Sequence, residues 1–167
     1  MRKEGVSIKD LMNRQAQVGQ VTFISIRPER RKPPKQVESV FADAEHGLDG
    51  DHYGGGPGGK RQVTLISHEH LLSVASFMGE EALDPRLVRR NIVISGMNLL
   101  SLKDKSFCIG EAVLRTTGLC HPCSRMEENL GEGGYSAMRG HGGITAKIVS
   151  SGMIKQGDQL KMVEDDR

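Results

Sequence analysis

Apolar residues along this chain come in short runs, many alternating with polar ones and most ended by glycine, the pattern of β-strands joined by turns. GQVTFISIRP alternates through Val21, Phe23 and then Ile24 and Ile26 toward a proline, and predicts a first strand. KQVESVFADA predicts a second, carrying Val37 and Val40. RQVTLIS, RRNIVISG, FCIGEAVLRTTG with a turn at Gly110, and ITAKIVSSG predict further strands, and MIKQGDQLKMV a hairpin end. Two stretches follow the helical period instead. SIKDLMNRQAQV sets Ile8, Leu11 and Met12 on one stripe behind a Ser7 N-cap. SHEHLLSVASFMGEEALD, capped by Ser67, sets Leu71, Leu72, Ala75 and Met78 on another. GLDGDHYGGGPGG and EENLGEGGYSAMRGHGG predict loops, the first because glycine fills it after Asp49.

Many short strands with few helices predict a mostly-β (α+β) fold, a closed or partly closed β-barrel. No fixed-period repeat and no linker divides the chain, so residues 1–20 read as a helical extension and 21–167 as one domain. A chain of 167 residues is long enough to bury about 70% of its unfolded surface without staples. With 4% aromatic residues and no tryptophan, it lacks a stacking platform for single-stranded nucleic acid. A net charge of +2 is too mild to mark a nucleic-acid partner. The one dense basic run, RPERRKPPK, is broken by proline and reads as a solvated loop. Three cysteines without an apolar leader predict reduced thiols in the cytoplasm, and no apolar run is long enough for a membrane span.

The chemistry concentrates in three places. The glycine loop brings backbone N–H groups together just before Lys60 and Arg61, a setting for an anion. It is neither a P-loop nor a dinucleotide fingerprint, since it lacks the Gly-Lys-Ser/Thr ending and a strand follows it. Glycine content alone fits a disordered surface loop equally well. Asp49, Asp51 and His52 are too regularly placed for idle linker; the carboxylates are expected to clip the loop through its own N–H groups, with a metal role for Asp51 and His52 the weaker reading.

GLCHPCSRMEE is the second place. Its single Cys-x-x-Cys pair lacks the partners of a zinc clip, because Cys108 reads as a buried strand residue and His121 lies between the pair. A redox dithiol calls for a βαβ setting that the pattern does not offer. A single thiolate remains: Cys123, with Pro122 before it and Arg125 two residues on to favour the ionised sulfur as soft-metal ligand or nucleophile. The third place is VRRNIVISG, where Arg89 and Arg90 enter a strand and one of them suits a phosphate, while Asn91 offers amide donors to a polar ring edge. Arg139 and His141 sit on a second glycine-rich loop.

GLDGDHYGG, RQVTLIS, VRRNIVISG, IGEAVLRTTGLCHPC and GMIKQGD, in this order from about Val21 to Val163, resemble the MOSC family, named for the C-terminal domain of molybdenum cofactor sulfurases. The resemblance implies a β-barrel and a pterin-type molybdenum cofactor whose metal is held by one cysteine, here Cys123. It places Arg89 and Asn91 near the pterin and its phosphate. It groups Lys60, Arg61, Ser67, His121, Arg125 and His141 with the cofactor-binding surroundings. Two-domain members take further phosphate contacts from an N-terminal domain that has no counterpart in this sequence, so either the GGGPGGKR loop compensates or the site is shared across a homodimer.

Two functions follow from that resemblance. The first is an oxidoreductase that reduces N–O bonds of small N-hydroxylated substrates, with electrons from a separate reductase. The second is a carrier in which Cys123 accepts sulfur from a cysteine desulfurase and Cys120 serves as resolving thiol. Pyridoxal phosphate would then bind that partner. A non-catalytic cofactor-binding module is a third reading.

Overall fold

The computed structural model describes residues 5–164. The basic start of the N-terminal extension and the extreme C-terminus lie outside the described residues. A short helix α1 (Ile8–Met12) leads into strands β1 (Gly19–Ile26), β2 (Lys35–Val37), β3 (Ser39–Asp43), β4 (Gly47–Leu48) and β5 (Val63–Ser67). Helix α2 (His68–Phe77) and a 3-10 turn (Pro85–Val88) precede β6 (Ile92–Ser95), β7 (Ser106–Ile109) and β8 (Ala112–Leu119). Helices α3 (Ser124–Leu130) and α4 (Gly134–Met138) come before β9 (Ile144–Ser150), β10 (Gly152–Lys155) and β11 (Gln159–Met162).

Seven strands close into a barrel in the order β1-β6-β5-β9-β8-β7-β11, with β11 returning to β1. All neighbours run antiparallel except the β5–β6 pair. β2 extends the end of β1, and β10, β3 and β4 form a separate small sheet. The closed, mostly-β barrel with short helices is thus the fold that the sequence pattern predicts.

A bulge in β1 gives the barrel two usable faces. The register against β6 shifts between Val21 and Phe23, so the strict inside–outside alternation breaks there. Val21 and Ile24 join the barrel interior with Phe107, Ile109, Leu114 and Ile144. Phe23 points the other way, into an outer layer with Ile66, Val74, Val93, Met126 and Met138. That second layer seats α2, α3 and α4 on the β1–β6–β5 surface.

Several local expectations are corrected. KQVESVFADA splits into β2 and β3 in different sheets, and MIKQGDQLKMV is not a hairpin, because β10 pairs with β3 while β11 pairs with β7 and β1. The segment after Cys123 carries two helices and not a loop; Met126, Ala137 and Met138 bury against the outer layer and outweigh its glycines. On α2 the buried stripe is Leu71, Val74 and Ala75, whereas Leu72 is exposed. Ser7 does cap α1, in a capping box with Asp10, but Ile8, Leu11 and Met12 stay exposed. Ser67 precedes α2 without capping its amides; its hydroxyl donates to Glu69. Cys108 is half-buried on the outer face of β7, not in the core.

Asn91 ties the start of β6 to both neighbours. Its Oδ1 accepts from the Thr64 amide at 3.0 Å and the Thr64 hydroxyl at 3.1 Å, and its Nδ2 donates to the Ser25 carbonyl at 3.2 Å. Replacing Asn91 by leucine leaves these buried groups unpaired. Urea unfolding is expected to show a loss of about 3 kcal/mol; a loss below about 1 kcal/mol would contradict this bracing role.

Candidate functional site

The ends of β1 and β8 and the entries to β5, β6 and β9 meet on one rim of the barrel, and most of the candidate residues lie there. Arg27 follows directly after β1. Its backbone N–H donates to Asp51 Oδ1 at 2.6 Å, and its guanidinium reaches the same carboxylate at 3.2 and 3.3 Å. The Asp51 side chain is fully buried, and the His52 N–H donates back to the Arg27 carbonyl at 2.6 Å. Asp51 therefore clips the glycine loop to the end of a strand, whereas the sequence reading had the loop's own amides as its partners. Charge-assisted bonds of this kind are about twice as strong as neutral ones, so the glycine loop is pinned to the end of β1.

Beyond the clip, the Tyr53 hydroxyl donates to the Gly56 carbonyl at 3.0 Å and folds the glycines into a strap. The Thr117 hydroxyl donates to the Lys60 carbonyl and meets the Thr145 hydroxyl, which anchors the far end of the strap on β8 and β9. Strap, Arg27, Lys60, Arg61 and Thr64 enclose an open cavity of ≈ 570 Å³.

Arg90, just before β6, is 6% exposed. Its Nε donates to the Gly142 carbonyl at 2.8 Å, Nη1 to Val88 at 2.8 Å and Nη2 to Cys120 at 3.4 Å. Among the described residues it makes no ion pair, so a whole positive charge is buried on carbonyl dipoles alone. Burial lowers its proton affinity, the sulfurs of Cys120 and Cys123 oppose that, and Arg61 and Arg27 add to it. The close approach demands glycine at two positions. A Cβ at Gly142 would lie 2.0 Å from the Cys120 carbonyl oxygen, and one at Gly143, where φ is +86°, 1.9 Å from that of Leu65.

Arg89 differs from its neighbour. It ends the 3-10 turn in the left-handed region with φ 58° and ψ 24°, a conformation that costs a non-glycine residue on the order of 1 kcal/mol. The strand entry expected at VRRN is thus a turn, and β6 begins only at Ile92. Arg89 Nη1 donates to the Lys32 carbonyl at 3.0 Å. Burial first, then the charges of Arg125 and Arg27, lower its proton affinity; Cys123 and Asp51 act the other way. Arg31, Arg89, Ser124, Arg125, Glu128 and Asn129 line a second cavity of ≈ 360 Å³.

Cys123 is exposed at the N-cap position of α3, while Cys120, three residues earlier, is buried, and both thiols are free. Lys60 and Arg61 thus line the strap cavity and Arg89 and Arg125 the smaller one, while Cys123 directly precedes Ser124 and Arg125 without lining either; His121 is exposed beside the cysteines. The other candidates line neither cavity. Ser67 is buried and its hydroxyl is engaged by Glu69. Asn91 is 1% exposed and its amide braces strands, so it offers no donor to a ring edge. His141 packs edge-on against His70 at 5.0 Å and Phe77 at 5.5 Å on α2. Sequence reading missed Arg27 and Arg31, because RPERRKPPK looks like a solvated loop, and it left open which of Arg89 and Arg90 is buried; Arg90 is, and Arg89 is half-buried.

Two measurements check this arrangement. Alkylation of the native chain with iodoacetamide is expected to label Cys123 first, Cys108 slowly and Cys120 only on unfolding; early labelling of Cys120 would contradict its burial. Burial and the charge of His141 hold the proton affinity of His70 below its ordinary value of 6.5, with Glu69 opposing. The unfolded chain then binds a proton that the folded chain resists, so stability falls as pH drops through 6.5. His70→Gln is expected to flatten that part of the melting-temperature profile, and an unchanged slope would assign it to other groups.

The MOSC domain family profile matches residues 42–161. No curated protein matches the chain. Among solved structures, the YuaD protein from Bacillus subtilis shares the fold with a TM-score of 0.74 and 22% identity, covering 86% of this chain and 94% of that one. YiiM from Escherichia coli gives a TM-score of 0.68 at 18% identity, covering 88% of this chain and 71% of that one. YiiM from Geobacillus stearothermophilus gives 0.67 at 16%, covering 87% and 75%. With a family profile spanning most of its length and a barrel of the same architecture, this chain belongs to the MOSC family.

Proposed function

We propose that the chain binds a pterin-type molybdenum cofactor, with Cys123 as the protein ligand to the metal, and reduces N–O bonds of small N-hydroxylated molecules. The observation that carries this reading is an exposed, unpaired thiol on a rim where arginine and lysine outnumber free carboxylates. A soft thiolate suits a soft metal centre. Among the described residues no three His, Cys, Asp or Glu side chains gather around one point, so a metal here needs a ligand that brings donors of its own. A pterin dithiolene does so, and its phosphate fits the cradle of Arg27, Lys60, Arg61 and the glycine strap.

When bound, that cofactor would supply the two-electron chemistry: two electrons from a separate reductase and two protons convert an N-hydroxyl group to an amine and water. The chain's residues hold and orient. The Asp51 clip and the Thr117 anchor hold the two ends of the strap over the cavity. Arg90 keeps a fixed positive charge below the Cys123 segment, because its carbonyl partners prevent it from turning away. The rim is open, so protons reach it from solvent.

Purification after expression with molybdenum cofactor supplied is expected to give bound molybdenum in the native sequence and about tenfold less in Cys123→Ala, given the dependence of such sites on their thiolate. Equal metal in both would remove this reading. The exposed Cys123 thiol also allows a carrier role, though the burial of Cys120 removes it as the expected resolving thiol. In that role, the Cys123 thiolate takes the outer sulfur of a persulfide on a pyridoxal-phosphate-dependent desulfurase and releases that enzyme's thiolate. One added sulfur on Cys123 after incubation with a desulfurase, without any molybdenum dependence, would favour this carrier role.

A further inference from the structure

We propose that the smaller cavity, lined by Arg31, Arg89 and Arg125, is a substrate subsite for an oxyanion. The molecules reduced here would then be N-hydroxylated compounds that carry a phosphate or carboxylate group. This rests on the reductase reading above and adds the substrate class.

The two cavities divide the rim. The larger takes the glycine strap and the groups of β1 and β5, Arg27, Lys60, Arg61 and Thr64. The smaller opens on the α3 side, where Ser124 and Arg125 directly follow Cys123. The thiol itself lines neither cavity, but a guest held by Ser124 and Arg125 is bound by the residues next to it in the chain. At ≈ 570 Å³ the strap cavity has room for a tricyclic phosphorylated cofactor, whereas ≈ 360 Å³ suits a smaller molecule.

The charge of the smaller cavity is unbalanced. Among the described residues neither Arg31 nor Arg125 makes an ion pair or a side-chain hydrogen bond, and Arg89 donates only to the Lys32 carbonyl. Glu128 reaches the lining but pairs with none of them, which leaves the set cationic. Arg125 is among the charges that act on Arg89, so these guanidiniums repel one another. Two of them also stand on costly backbone. Arg31 at φ 65° and Arg89 at φ 58° are left-handed, and among the described residues only Asp104 shares that state outside glycine. Strain of this kind persists where surrounding structure imposes it, often at ligand clamps. Planar guanidiniums converging without a carboxylate recognise an oxyanion by paired N–H donors. Ser124 adds a neutral hydroxyl donor at the same opening, while the Asn129 amide already donates to the Leu87 carbonyl at 2.9 Å.

The test has a binding arm and a kinetic arm. In the metal-free full chain carrying Lys60→Ala and Arg61→Ala, which disables the cofactor cradle, phenyl phosphate and benzoate are titrated by calorimetry, with phenol as the uncharged control. Binding of one or both anions is expected, and adding Arg31→Ala and Arg125→Ala is expected to weaken it about tenfold or more, as for lost charge-assisted bonds. Circular dichroism spectra confirm that each variant is folded. If phenyl phosphate alone binds, the subsite is for phosphate; if benzoate binds as well, carboxylates belong to the class. Absence of binding to either anion, or binding indifferent to the two arginines, overturns the proposal. In the kinetic arm, the molybdenum-loaded native chain is expected to show a KM for a carboxylated benzamidoxime about tenfold below that for benzamidoxime itself, and Arg31→Ala is expected to bring that ratio toward one. Turnover without preference for the anionic substrate overturns the subsite and leaves the reductase reading standing. Arginine-dependent anion binding in a chain that takes up no molybdenum supports the anion cavity and removes the reductase reading.

Discussion

The rim of this barrel depends on one buried guanidinium. Arg90 joins the turn before β6, the end of β8 and the entry to β9 through three carbonyls. Burying an unpaired charge costs several kcal/mol, and carbonyl dipoles offset part of that through charge-assisted bonds. The planar fork of arginine matters, because an ammonium is a point charge that does not present donors in three fixed directions. Cys120, three residues before Cys123, supplies one of these three carbonyls. A neutral side chain in place of Arg90 would fill the space but leave three segments without a common partner.

The rest of the fold prepares that position. The bulge in β1 turns Phe23 outward while its neighbours stay in the barrel. This gives α3 and α4 an apolar surface to cover, and their burial fixes the helix that begins at Cys123. Asn91 locks β1, β5 and β6 at the level where the arginines emerge. A stiff barrel and a bonded strap thus meet at one edge: the barrel positions charge, and the glycine strap admits backbone N–H groups close to a ligand.

Charge is distributed with the same logic. Arg27 has a buried carboxylate of its own, so it serves as an anchor first. Among the described residues Arg31 and Arg125 have none, so they remain available to an incoming anion. Proximity to the sulfur and to one another, more than the number of basic residues, distinguishes this region from the exposed arginines and lysines elsewhere. A net charge of +2 conceals that concentration, because composition averages over the surface.

The strands, the glycine strap and the thiol at Cys123 were determined by the sequence itself, since each rests on local pattern: alternation, glycine density and Cys-x-x-Cys spacing. The helices after Cys123 were not, because their stability comes from burying Met126 and Met138 against distant strands. Nor was the division of labour between Arg89 and Arg90. Adjacent residues of one type look alike in sequence, and only the turn geometry and the carbonyls of Gly142 and Cys120 decide which is buried. The Arg27–Asp51 clip, the bracing role of Asn91 and the grouping of Arg31 with Arg125 likewise exist only once the barrel has closed. Each joins segments far apart in the chain, and no local rule carries information across that separation.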